Sequence, residues 1–169
     1  MKELLDWAEK SGLENLKFRL QTCDTLAKDA GTTLTILLAA LGATLAYAMK
    51  GAEASATSAL TVGAGAMAGW LMMVAALLIC KCIMTAPIWP PTNEPKNLYQ
   101  KNYAFDDLRE VELDNLQKRI DQTAERNITI AMWLDRIRLM AVASPIVFLA
   151  AASLSWAALG YAVRVAAAG

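Results

Sequence analysis

Apolar positions along this chain fall into three long uncharged runs, residues 32–49, 54–80 and 139–163, with an amphipathic stripe leading into the first and another into the last. A helix rises about 1.5 Å per residue and must cover roughly 30 Å of hydrocarbon to cross a bilayer. The first run, at 18 residues, just suffices, and the others, at 27 and 25, leave length for tilt or overhang. The predicted fold is therefore an all-α membrane protein with three transmembrane helices. Lys50, Gly51, Ala52 and Glu53 supply the only polarity between the first two runs, which predicts a tight antiparallel hairpin. Pro87, Pro90, Pro91 and Pro95 forbid a helix beyond the second run, and Trp89 sits where an interfacial indole would anchor that exit.

The first stripe is Leu13, Leu16, Leu20, Cys23, Ala27 and Ala30, in alternating steps of three and four, the spacing of one helix face. Gly12 is expected to separate it from a shorter amphipathic piece whose Leu4, Leu5, Trp7 and Ala8 either lie on the membrane surface or pack on neighbouring helices. The second stripe follows Asp106 and Asp107, acids suited to a helix N-terminus. It reads Leu113, Leu116, Ile120, Thr123, Asn127, Ile130, Leu134 and Ile137, an unbroken heptad pattern up to the third run. Ala124 and Ala131 widen the seam beyond what two strands need, so more than two helices are expected to meet there. Asn127 at an a position, with Ile120 and Ile130 beside it in the seam, would set register and oligomer state; the alternative is a solvated position. The expected organisation is a cytoplasmic amphipathic helix at 1–30, a transmembrane hairpin at 31–86, a cytoplasmic Pro-rich turn and heptad helix at 87–138, a third span at 139–163 and a short outside tail at 164–169. The helical extensions are expected to form an oligomeric bundle.

Charge adds the orientation. The 16 basic and 16 acidic residues cancel, which gives no global field toward nucleic acid. Fourteen of the 16 Lys and Arg precede the first run or lie between the second and third, and only Lys50 and Arg164 fall elsewhere. By the positive-inside rule the N-terminus and the long middle segment face the cytoplasm, and the C-terminus faces the other side. The first 30 residues lack an apolar signal region, so the first span is expected to double as the insertion signal.

Candidate chemistry is sparse. The sequence has no His and three Cys, so Cys80-x-Cys82 cannot assemble a four-ligand zinc site from one chain, and a structural role is expected for these thiols. No charged residue lies inside the three runs, which argues against proton relays, ion-coupled transport and intramembrane proteolysis. No enzyme, cofactor or metal is expected. Gly63, Gly65 and Gly69, set among alanines, predict close helix packing, with Gly65-x-x-x-Gly69 as the motif. Pro145, after Ser144, removes a helix hydrogen bond and is the candidate hinge.

The order of these features resembles the small membrane effectors of bacterial anti-phage defence, chiefly the Pycsar transmembrane effectors. The likeness rests on Leu20 to Lys28 running into the first span, with an Asp24-Thr-Leu-Ala27-Lys28 element, on the tight hairpin, and on Pro87 to Asn97 closing the second span. A cytoplasmic helix carrying Asn127 and Arg138 then leads into the last span. The resemblance implies an oligomeric, multi-pass inner-membrane protein that perturbs or permeabilises the membrane in abortive infection. It further implies a cyclic pyrimidine nucleotide as activating ligand, and Lys118, Arg119 and Arg126 are then candidate anion contacts, the alternative being a solvated face. The expected partners are further copies of the chain and the bilayer. Two other readings stay open: a non-catalytic anchor or adaptor that recruits a cytoplasmic partner protein through its coiled coil, and a holin-like protein.

Overall fold

The computed structural model describes residues 2–53, 58–84, 90 and 92–168. The regular elements among them are helical: α1 (Lys2–Glu53), α2 (Ala59–Leu78) running into a π-helical turn (Ile79–Ile83), a short α3 (Pro95–Leu98), α4 (Phe105–Val142) and α5 (Ser144–Ala168). Three helices are long and apolar enough to cross a membrane. The chain divides into two compact units, residues 1–28 with 85–132, and 29–84 with 133–169.

In the first unit α1 and α4 lie side by side and parallel, because partners advance together along both. Asp6 and Glu9 meet Arg109, Gly12 faces Leu116, and Arg19 meets Asn127. The core is Leu16, Leu116 and Ile120, flanked by Leu20 and Leu113, so the two sequence stripes pack on each other within one chain. The expected break at Gly12 is absent, and α1 passes through it unbroken. A mid-helix glycine costs only about 1 kcal/mol relative to alanine, and this one admits α4, since a Cβ there would lie 2.7 Å from Leu116 Cδ2. The piece before Gly12 is held on α4 through Arg109.

In the second unit Lys50 to Glu53, expected as the turn, forms the last turn of α1; Ala54 to Thr57 lie outside the described residues. Gly51 closes the hairpin because a Cβ there would collide with the Thr61 side chain. Ser58 caps α2, its Oγ accepting the Thr61 N–H at 3.2 Å. Pro87, Trp89 and Pro91 lie outside the described residues, and α2 ends in the π turn, where the Met84 N–H donates to the Ile79 carbonyl at 2.8 Å. α2 runs antiparallel to residues 133–152, with Lys81 beside Trp133, Trp70 beside Met140 and Gly63 beside Ala152. Leu37, Leu71, Val74, Leu78, Leu134 and Ile137 are buried there. From Trp156 to Ala166, every α5 residue is exposed.

Candidate functional site

Pro145 follows a one-residue break in the helical path, across which the Ala143 N–H still donates to the Leu139 carbonyl at 3.0 Å. α4 stops at Val142 and α5 begins at Ser144, with Ala143 between them as a turn. A proline at 145 offers no N–H to the carbonyl four residues back, that of Ala141. Ser144 Oγ donates to that carbonyl instead, at 2.7 Å, and Ser144 is 2% exposed. One residue earlier the Met140 carbonyl accepts the Trp70 indole N–H at 3.1 Å, which ties the interruption to α2. Buried backbone carbonyls in an apolar setting need such partners. Sequence reasoning singled out Pro145 and noted Ser144 before it, but did not assign that hydroxyl to the carbonyl the proline leaves open, and it missed Trp70.

The three glycines divide. Gly63 is buried against α5, and a Cβ on it would lie 2.9 Å from the Phe148 carbonyl oxygen and 3.1 Å from Ala152 Cβ. Gly65 and Gly69 are exposed with nothing within 4 Å of that position, so the chain itself does not use the Gly65-x-x-x-Gly69 face. Three of the four threonines of the first apolar run bond back onto their own helix: Thr33 to the Asp29 carbonyl, Thr35 to Gly31 and Thr44 to Ala40. Their hydroxyls are satisfied locally.

In the first unit Asn127 is 7% exposed, and its Nδ2 donates to the Arg19 carbonyl at 2.8 Å across to α1. Its Oδ1 is buried and has no hydrogen-bond partner. The residue lines a groove of about 670 Å³ between α1 and α4, with Phe18, Leu26, Ile128 and Ala131 supplying apolar walls and Asn15 and Thr22 polar ones. Ile120 and Ile130 are buried on the same seam.

The candidate anion contacts are only partly assembled. Arg119 is buried, and its guanidinium bonds Glu112 at 2.5 Å and the Pro90 and Asn115 carbonyls at 3.3 and 3.2 Å. Glu112 in turn accepts from Asn93 at 2.6 Å, so Arg119 works as a clamp between α4 and the segment before α3. Lys118 lines a hollow of about 220 Å³ with Pro90, Asn93 and Gln122, and Arg126 does not line it. An adjoining hollow of about 490 Å³, sharing Asn93 and Asn115, adds Asn97, Gln100 and Tyr103. Sequence reasoning also missed Arg109, which bonds Glu9 at 2.8 Å and also Asp6. Hydrogen bonds to Glu9 and then Asp6 raise this guanidinium above its already high ordinary pKa, so it stays charged. Cys23, Cys80 and Cys82 are free thiols, and among the described residues no three His, Cys, Asp or Glu side chains gather as a metal site. No family model, curated protein or solved structure matches the chain.

Proposed function

We propose that the protein is an oligomeric bacterial inner-membrane effector that perturbs or permeabilises the bilayer when triggered, in anti-phage abortive infection. The defence role follows from the resemblance alone, and one observation supports the membrane part of the reading: the three apolar helices leave outer faces uncovered by the described residues of the chain. Ile36, Leu38 and Met49 on α1 and Leu154, Trp156 and Val163 on α5 are exposed. Apolar surface on that scale is covered by lipid, by further copies, or by both. The N-terminus and the 87–138 segment face the cytoplasm, and the C-terminus faces away from it.

Self-association runs through two surfaces, the Gly65 and Gly69 face of α2 and the groove beside Asn127. The trigger is a cyclic pyrimidine nucleotide, bound where the amides of Asn93, Asn97 and Gln100 meet base edges and Lys118 meets the phosphate. An adaptor reading draws on the same groove, whose apolar walls of Phe18, Leu26, Ile128 and Ala131 would receive an apolar segment of a cytoplasmic partner protein.

Induced expression in bacteria tests the proposal. Growth arrest with loss of membrane potential is expected, and weaker arrest for Pro145→Ala, whose straightened helix disfavours a bent open state. Normal growth and potential at high membrane levels of the protein would favour the adaptor.

A further inference from the structure

We propose that Lys81, Trp133 and Arg136 form a binding site for the phosphate of an anionic phospholipid, an inference that rests on the membrane reading above. Lys81 lies in the π turn that ends α2, and such turns insert an extra residue that re-aims the side chains around it. Here the turn buries Cys82 and leaves Lys81 exposed, with its Nζ 5.4 Å from the centroid of the Trp133 ring. Arg136, one helical turn beyond Trp133, places its Cζ 5.4 Å from the same centroid. The two cations therefore share one indole and lie no farther apart than twice that distance.

Among the described residues neither Lys81 nor Arg136 makes an ion pair with an acid, in contrast to Arg138, which pairs with Asp29 at 3.3 Å. One ring attracts each cation only weakly at an exposed site, and two like charges held against the same ring repel. An anion at this position relieves the repulsion. The antiparallel course of α2 explains why it should be a lipid anion. Lys81 follows the apolar run of α2 and Arg136 precedes the uncharged run from Leu139, so both stand at the same end of their apolar segments, where headgroups lie if those segments span a bilayer. Leu139, three residues after Arg136 and on the same helix face, is exposed, as is Ile79, two residues before Lys81 on the side of the apolar run. These offer apolar surface beside the cations for the acyl chains, which a free phosphate would not use.

The test uses the full chain in dodecylmaltoside, titrated with phosphatidylglycerol or phosphatidylcholine of equal chain length and read by native mass spectrometry. Phosphatidylglycerol is expected to bind about twenty-five-fold more tightly. Lys81→Gln and Arg136→Gln should each weaken it roughly five-fold and together roughly twenty-five-fold, with phosphatidylcholine binding unchanged. Lys101→Gln, an exposed cation elsewhere, should leave both lipids unaffected. With fluorine-labelled tryptophan, the resonance assigned by Trp133→Phe should shift with phosphatidylglycerol alone. Equal retention of the two lipids, or no loss in the double variant at unchanged helicity and melting, would overturn the site. Displacement of phosphatidylglycerol by millimolar inorganic phosphate would overturn the lipid as its source. Carbonate extraction separates the two levels: release of the protein from membranes overturns the membrane reading itself, whereas a protein that stays embedded but shows no lipid preference overturns only the site.

Discussion

Ser144 and Pro145 should behave as a coupled pair, because the hydroxyl of one serves the carbonyl that the ring of the other leaves without an N–H. Ser144 Oγ lies 2.7 Å from the Ala141 carbonyl. In Ser144→Ala that carbonyl has no local donor, and the loss should cost about 1 kcal/mol, between the roughly 0.6 kcal/mol average for membrane hydrogen bonds and the 1–3 kcal/mol of an unsatisfied buried group. In Pro145→Ala the new amide at 145 reaches the same carbonyl as an ordinary helix bond, and the hydroxyl becomes redundant. Ser144→Ala made in that background should therefore cost close to nothing. The coupling of about 1 kcal/mol exceeds the roughly 0.3–0.5 kcal/mol within which independent sites add. Reversible unfolding in mixed dodecylmaltoside and dodecyl sulfate micelles, followed by circular dichroism, measures all four corners of the cycle. An equal cost for Ser144→Ala in both backgrounds would refute the compensation.

The three glycines should separate by contact. Gly63→Ala, facing the Phe148 carbonyl at 2.9 Å, should destabilise the fold by about 1–3 kcal/mol, while Gly65→Ala and Gly69→Ala, with nothing near, should be neutral or stabilise by up to about 1 kcal/mol; equal effects at all three would place α5 elsewhere. Gly65→Leu and Gly69→Leu should leave the folded chain intact but lower its mass in mass photometry, and an unchanged mass would mean that this face meets lipid. Asn127→Leu removes a buried oxygen without a partner and should raise the melting temperature while broadening the oligomer distribution; the parent's melting and stoichiometry would show that the oxygen is hydrated. Alkaline phosphatase fused after Gly169 should be active and a fluorescent protein dark, and the reverse result would remove the proposed orientation.

The sequence was most readable where one physical signal runs over many residues. The uncharged runs revealed helices able to cross a membrane, because length and lack of charge need no knowledge of neighbours. The heptad positions from Leu113 to Ile137 correctly marked the face of α4 that turns inward, since Leu116, Ile120, Asn127, Ile130, Leu134 and Ile137 are all buried. Local punctuation misled in both directions. Gly12 and Lys50 to Glu53 carry loop composition yet stay helical, and the two glycines there answer to close approach by Leu116 and Thr61, not to a break in the helix. The π turn at Ile79–Ile83 has no composition of its own. Pairings across about a hundred residues, Asn127 with Arg19 and Arg109 with Glu9, depend on the register of two parallel helices, which periodicity on each does not fix. The distinction between Gly63 and Gly65 likewise depends on where α5 lies.

Dye release from liposomes tests the proposed activity most directly. Purified protein is reconstituted into phosphatidylglycerol-containing vesicles loaded with a self-quenched dye, and insertion is verified by flotation and protease protection. Addition of cyclic UMP or cyclic CMP should release the dye, with slower release from Pro145→Ala vesicles carrying the same amount of protein. Vesicles that hold inserted, oligomeric protein and stay sealed with either nucleotide and at high protein-to-lipid ratio would contradict membrane permeabilisation.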